Sequence, residues 1–252
     1  MQLAEKVIAI TGAGQGLGKQ MALSLAQSGV NLALVDLGKD QLDETRLECE
    51  ALGVIARCYV ANVTDEQQVI EAFGQIETDF NQLNGVVNNA GIMRDGMFVK
   101  VRDGQVKTMS LEQFQSVLDV NVTGTFLCGR EAAKVMLNTD SKGVLINISS
   151  VARAGNMGQT NYSASKAAVA TMATVWAKEL GRYGIRSVAI APGVIKTAMT
   201  DQIKPEAMER LIGMIPVGRL GQAEEIASTI KYVLANDFIS GRVLEIDGGM
   251  RM

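Results

Sequence analysis

The 252-residue chain contains no histidine. That absence excludes every Ser-His-Asp or Cys-His nucleophile and every histidine-ligated metal, so any acid–base chemistry must use another proton donor. Cysteine is scarce: Cys49, Cys58 and Cys128 are odd in number and never in CxxC spacing. Neither a disulfide framework nor a thiolate zinc site is suggested, and a reducing, cytoplasmic setting fits best. No apolar stretch reaches the ~18 residues that a membrane span needs, and the start carries no basic region followed by an apolar leader; the expectation is a soluble intracellular protein. Nor is charge of one sign in excess. Twenty-four Lys and Arg against 27 Asp and Glu give a net charge of −3, which argues against a nucleic-acid groove and toward small partners. The only prolines, Pro192, Pro205 and Pro216, fall late in the chain. With no linker, low-complexity tract or solenoid repeat, a second domain has no place to begin, and residues 1–252 read as one domain.

What is present is a core. Apolar residues make up 47% of the chain, enough to exclude disorder. Short β-branched runs alternate with longer segments of helical period, the pattern of repeated βαβ units around a parallel sheet. Strands are expected at Val7–Thr11, Asn31–Asp36, Val54–Val60, Gly85–Asn88, Val144–Ser149, Arg186–Ala191 and Val243–Ile246. Helices are expected at Leu17–Ser28, Gln41–Leu52, Glu66–Asp79, Leu111–Leu137, Tyr162–Tyr183 and Ala223–Ala235. The strands are nearly all apolar, as when helices cover both faces of a sheet. The fold class is therefore α/β: a doubly wound parallel sheet of Rossmann type in three α/β/α layers. One segment, 98–108, breaks the alternation: apolar and polar residues alternate on either side of Asp103-Gly104, which predicts a small β-hairpin, either a surface ornament or a flap beside a substrate entrance.

The first strand runs into Thr11-Gly-Ala-Gly-Gln-Gly-Leu-Gly18, which opens a helix. Backbone amides and the helix dipole can hold a pyrophosphate there, provided no Cβ blocks the approach. Asp36, eighteen residues beyond Gly18 at the end of the second strand, is placed to accept from ribose hydroxyls and to repel a 2′-phosphate. NAD(H) is favoured on that ground and NADP(H) is the alternative, with Lys19 and Lys39 close in sequence.

Hydride transfer to a carbonyl leaves an alkoxide that must be protonated. Tyr162-Ser-Ala-Ser-Lys166 offers a donor and a cation on one helical face. A free phenol ionises near pH ~10, so work near neutrality asks for about 4 kcal/mol of phenolate stabilisation, which a fixed ammonium in a partly dry site could supply.

Together these motifs make the chain resemble the short-chain dehydrogenase/reductase family over essentially its whole length. The matching residues are the turn from Thr11 to Gly18, Asn62-Val63, Asn88-Asn-Ala-Gly91, Asn121, Ser149-Ser150, Tyr162 with Lys166, and Pro192-Gly193. The resemblance implies that Tyr162 is the proton donor and acceptor, that Lys166 lowers its pKa and binds the nicotinamide ribose, that a serine holds the substrate oxygen, and that Asn121 positions a relay water. It implies cofactor binding by Gly12, Gln15, Gly16, Leu17, Gly18, Asp36, Asn62, Val63, Asn89, Ala90, Gly91, Tyr162, Lys166, Pro192, Gly193 and Ile195, with Asn62 and Val63 flanking the adenine and the Ile195 backbone meeting the carboxamide. No metal is expected. Ser149 stands thirteen residues before Tyr162, the family's common spacing, and Ser150 twelve. Because strand geometry fixes side-chain direction more firmly than loop length does, Ser150 is the favoured serine.

Within the family, Arg94-Asp95, Gly158-Gln-Thr-Asn-Tyr162, Pro216-Val-Gly-Arg-Leu-Gly221, Glu224-Glu-Ile-Ala227 and Asp247-Gly-Gly-Met250 are similar to the β-ketoacyl-acyl-carrier-protein reductases of fatty-acid synthesis. That similarity implies reduction of a 3-oxoacyl thioester on an acyl-carrier protein or CoA. The chain departs from that group in Asp36, since its members generally use NADPH, in the 98–108 insertion, and in the basic residues offered to an acidic carrier, matched at best by Lys178. The alternatives are an NAD-dependent dehydrogenase of another small alcohol or ketone, such as a 3-hydroxyacyl-CoA, sugar or polyol, and a non-enzymatic nucleotide-binding protein, against which Asn121, Tyr162 and Lys166 all stand. Family members commonly form homotetramers through their two longest helices. Trp176 reads as packing or a subunit contact. The segment from Thr197 to Ile215, with Met199, Met208 and Met214, reads as a lid over an acyl chain or as plain core filling.

Overall fold

The computed structural model of the chain describes residues 1–196, 200 and 205–251. Seven parallel strands form one sheet: β1 Val7–Thr11, β2 Asn31–Asp36, β3 Ala56–Val60, β4 Gly85–Asn88, β7 Gly143–Ile148, β8 Ile185–Pro192 and β9 Val243–Ile246. Their spatial order is β3-β2-β1-β4-β7-β8-β9. The order reverses between β1 and β4, the point where ligands settle against the carboxyl ends of the strands.

The pleat sends alternate residues of one strand to opposite faces. Ile8 and Ile10 enter a core with Met21 and Leu25 of α1 (Gly16–Ala26) and Ile230 and Val233 of α8 (Ala223–Ala235), whereas Val7 and Ala9 enter the other core with Phe73 and Ile76 of α3 (Glu66–Phe80) and Ala132 and Met136 of α5 (Thr125–Asn138). These two cores, with α2 (Lys39–Glu50) and α6 (Thr160–Leu180) completing the helical layers, form the three-layer arrangement that the all-apolar strands imply. No helix among the described residues is long and apolar enough to cross a membrane.

Two local features depart from simple βα alternation. The long periodic run after residue 110 is not one helix. It comprises α4 (Leu111–Leu118), a π-helical stretch at Asp119–Gly124, and α5. Ahead of it, β5 (Val99–Arg102) and β6 (Gln105–Thr108) pair antiparallel, with Asp103 and Gly104 at φ of 53° and 73°. Positive φ at both central residues is what a type I′ turn needs, and Asp-Gly supplies it.

A further helix, α7 (Pro205–Gly213), occupies the segment that the sequence marks as a lid, and Met208 packs against Ile215, Leu220 and Met250 in a small cluster of its own. Met199 lies outside the described residues.

Candidate active site

The turn between β1 and α1 is built by its glycines. Gly12 and Gly16 hold φ of 68° and 55°, a left-handed region that glycine enters without strain. A Cβ on Gly18 would land on the Gly12 carbonyl oxygen, so only glycine lets α1 start this close to the strand. A Cβ on Gly16 would meet nothing within 4 Å, because that position opens into a cleft of about 530 Å³. Gln15, the N-cap residue of α1, makes no side-chain capping bond, and the first turn carries no acidic residue. By contrast, Asp65 caps α3 and Ser110 caps α4 with their side chains. A helix start that no side chain caps, beside a cradle that side chains would fill, fits a dinucleotide pyrophosphate.

Most of the residues expected to bind the cofactor line this one cleft: Gly12, Gln15, Gly16, Leu17, Asp36, Asn62, Val63, Asn89, Ala90 and Gly91. Leu37, Ala61, Ile92 and Val120 join them without having been singled out from the sequence. Asp36 is held by two backbone donors: Gly14 N–H gives to Oδ2 at 2.8 Å and Leu37 N–H to Oδ1 at 2.7 Å. Its carboxylate is thus fixed at the cleft wall with lone pairs to spare for a diol. Asn89 braces the turn, its Nδ2 donating to the carbonyls of Thr11 and Gly12 at 3.1 and 3.2 Å. Pro192, Gly193 and Ile195 lie off the cleft. Pro192 ends β8, while Gly193 and Ile195 line a neighbouring hollow of about 130 Å³ with Arg219 and Asp247.

The cleft reaches the tyrosine–lysine pair through Gly91, where a Cβ would lie 3.2 Å from Asn121 Oδ1 and 3.5 Å from Lys166 Nζ. Tyr162 and Lys166 both sit in the first two turns of α6. The Lys166 ammonium lies 5.6 Å from the centroid of the Tyr162 ring and donates to the Ile148 carbonyl at 2.8 Å. Burial pulls its pKa down to about 8. The expected downward pull of Lys166 on the phenol is not what this geometry gives. Burial is the largest influence on Tyr162 and raises its pKa, Ser150 acts in the opposite direction, and Asp95 adds to the rise. The reason is direction: the ammonium sits over the ring face and spends a proton on a backbone carbonyl.

The two serines diverge. Ser149 is buried and its hydroxyl donates to the Lys166 carbonyl at 2.7 Å, which ties β7 to α6. Ser150 is the residue whose hydroxyl acts on the Tyr162 phenol, and it accepts from Ala152 N–H at 3.1 Å.

Asn121 is buried in the π-helical stretch, a distortion that often marks a functional position. Its Oδ1 accepts from Ile92 N–H at 2.8 Å, and its Nδ2 donates to Ile92 O and Ser165 Oγ at 3.1 and 2.9 Å. Both amide protons are used in clamping the segment after β4 to α6, so any water bound to this side chain must donate to Oδ1.

Residues that the sequence marks only by their likeness to related reductases complete the frame. Asn161, fully buried, donates to the carbonyls of Arg94 and Gln113 at 2.9 and 3.2 Å, and Gln159 Nε2 donates to Asp95 Oδ2 at 2.8 Å. Gly96 N–H also donates to Gly158 O at 2.8 Å. The segment entering α6 is thereby stitched to residues 94–96, and Tyr162 is held from both sides.

The chain matches the family described as enoyl-(acyl carrier protein) reductase over residues 12–251. It is 38% identical over 253 residues to the 3-oxoacyl-[acyl-carrier-protein] reductase FabG of Thermotoga maritima, covering 99% of each chain. It is 39% identical over 256 residues to the 3-oxoacyl-[acyl-carrier-protein] reductase of Synechocystis sp., covering 99% of this chain and 98% of that one. To the (3R)-3-hydroxyacyl-CoA dehydrogenase of Canis lupus familiaris it is 34% identical over 263 residues, covering 100% and 98%.

Proposed function

The chain belongs to the short-chain dehydrogenase/reductase family of NAD(P)(H)-dependent oxidoreductases, and from that premise we propose that it reduces a 3-oxoacyl thioester to the 3-hydroxyacyl thioester. The observation that carries the reaction is the meeting of Ser150, Tyr162 and the buried Lys166 at the inner end of the dinucleotide cleft. The thioester follows from the names of the similar reductases.

When bound, the dinucleotide supplies the hydride. The chain's own groups manage the oxygen that becomes negative: Ser150 donates a hydrogen bond to it, and Tyr162 donates a bond and then its proton. Lys166, charged below a pKa of about 8, would hold a ribose hydroxyl of the bound dinucleotide and keep a positive charge on the ring side of the forming phenolate. Asn121 acts as a positioning residue, holding Ile92 at the cleft and Ser165 on α6. Gly12, Gly16 and Gly18 would admit the pyrophosphate, Asn62 and Val63 would flank the adenine, and Gly193 and Ile195, in the separate hollow, would meet the nicotinamide.

The fixed Asp36 carboxylate supports NAD(H) over NADP(H). It also favours a second reading, oxidation of a 3-hydroxyacyl-CoA, which the similarity to the Canis protein supports. Turnover of acetoacetyl-CoA and an acyl-carrier thioester, compared with simple ketones under both cofactors, tests both. Thioesters reduced at kcat/KM well above simple ketones support the proposal, and efficient turnover only of simple ketones overturns it.

The serines give a paired prediction. Ser150→Ala should cut kcat by about 10²–10³ with cofactor affinity intact, the usual effect of deleting one donor to a developing oxyanion. Ser149→Ala should leave turnover near wild type. It should cost about 1 kcal/mol, a fall in Tm of about 2–4 °C, for the lost bond to the Lys166 carbonyl. The reverse pattern would make Ser149 the catalytic serine.

We also infer a homotetramer. On α6, Ala164, Ala168, Met172, Val175 and Trp176 line an open apolar depression of about 570 Å³, a face suited to burial between subunits. Three unpaired thiols support a cytoplasmic location.

A further inference from the structure

The β5–β6 hairpin has two unlike faces. Cross-strand pairing sets Lys100 opposite Lys107 and Arg102 opposite Gln105, while Val99 faces Thr108 and Val101 faces Val106. By the pleat, one face is cationic and the other apolar. Neither is covered: Val101 is 70% exposed and Val106 67%. Two ammonium groups directly opposite each other destabilise a ribbon, so the hairpin bears a local electrostatic cost that its own fold does not relieve. Of Lys100, Arg102 and Lys107, only Arg102 has a carboxylate within salt-bridge distance, the adjacent Asp103 at 3.6 Å, and both are exposed at the tip. A chain of net charge −3 thus concentrates unpaired positive charge on one projecting arm.

The root of that arm belongs to the active-site frame. Met109 N–H closes on Phe98 O at 3.0 Å, and just before it Gly96 and Asp95 are bonded to Gly158 and Gln159, next to Tyr162. Four residues per strand carry the tip about 13 Å from this root. Anything held by the arm is held at the rim of the site.

We propose that the hairpin is the docking arm for an acidic protein that presents the 3-oxoacyl thioester, the Lys100, Arg102 and Lys107 face meeting its carboxylates. This rests on the acyl-thioester reading above. A second copy of the chain is the poorer occupant, because two such arms meeting about a two-fold axis would oppose like charges.

The test compares the wild type with Lys100→Glu/Lys107→Glu and Lys100→Ala/Lys107→Ala. Substrates are a 3-oxobutyryl thioester on an acidic acyl-carrier protein, on CoA and on N-acetylcysteamine. The charge reversal should raise KM for the carrier thioester at least tenfold and the alanine pair less, with kcat and the N-acetylcysteamine kinetics unchanged. Added salt should raise the wild-type KM on the carrier and leave that of the reversed variant nearly flat. An unchanged carrier KM overturns the proposal. So does an equal loss on CoA and carrier, which would mean that the arm reads a phosphate and not a protein surface. A change in subunit number in the reversed variant also overturns it, since the arm would then be a contact between copies. Binding of the unloaded carrier, read by fluorescence anisotropy, separates this from the function itself. Charge-dependent binding without thioester turnover sinks the reductase reading and leaves the docking arm standing.

Discussion

Replacing Tyr162 with phenylalanine should lower kcat by about 10²–10⁴ while the dissociation constant for the dinucleotide stays within a few-fold. The side chain fills the same space and loses only the hydroxyl proposed to deliver the proton, and general acid catalysis contributes at about this scale. A variant with full activity would overturn the mechanism. The pH profile follows from the same pair. Reduction needs both protons in place, one on the phenol and one on the ammonium. Burial raises the pKa of Tyr162 and lowers that of Lys166 to about 8, so the lysine gives up its proton first as pH rises. The expected kcat/KM for ketone reduction is therefore flat below about pH 8 and falls above it. Oxidation of the alcohol should rise with pH as the phenolate becomes accessible. Lys166→Arg should move the limb of the reduction profile upward by more than one unit, because a guanidinium stays charged and leaves the phenol as the group that titrates. A limb unmoved by substitution at either position would contradict this account.

The second large effect is expected at Asp36. A carboxylate about 4 Å from a 2′-phosphate is repelled by about 4 kcal/mol at an effective dielectric of ~20, and partial solvent exposure reduces this. Asp36→Ala should raise the ratio of NADPH to NADH efficiency on the order of 10²-fold, and Asp36→Arg further, toward 10³. Part of any loss with NADH will be structural, since the carboxylate also receives Gly14 N–H and Leu37 N–H. Asp36→Asn is the control: it keeps an acceptor for one of those amides and removes the charge, so a ratio that shifts in Asn as in Ala reports electrostatics. A ratio that none of the three variants moves would sink the NADH assignment.

The strands were legible because a sheet covered on both faces writes itself as short, unbroken apolar runs, and Val7–Thr11, Asn31–Asp36 and Gly85–Asn88 are found where those runs stand. Boundaries blurred where apolar residues continue past the last ladder bond: β3 starts at Ala56, and Val54 packs on the core from outside the strand. The helix at Pro205–Gly213 lies in the segment that reads as a lid, where no helix is expected. A proline at its first position and a glycine at its last were the available signals. The break between α4 and α5 left no such mark, since apolar period alone does not report a single extra residue in a turn.

At the site, the glycine turn, Asp36 and the Tyr162–Lys166 spacing were readable because each residue type is required by local chemistry. The latch of Asp95, Gln159 and Asn161 was visible only as a likeness to related reductases, not as a bonded unit. Amides and a carboxylate that bond across more than sixty residues of chain resemble any polar loop until the fold brings them together. Nor could spacing predict that the Lys166 ammonium would turn to Ile148 rather than to the phenolic oxygen.

The π-helical stretch at Asp119–Gly124 sets the rotational phase of everything after it. Each residue of an α-helix advances the side chain by about 100°. One residue accommodated in a widened turn therefore lets α4 and α5 keep separate apolar stripes on different neighbours, α4 facing α6 and α5 facing α3. Deleting a single residue here would restore a smooth helix and turn one of those stripes out of register by about a quarter of a revolution. Asn121 owes its inward aim to that slack, so the frame of the active site depends on an imperfection in helical winding that a point substitution would not reveal but a one-residue deletion would.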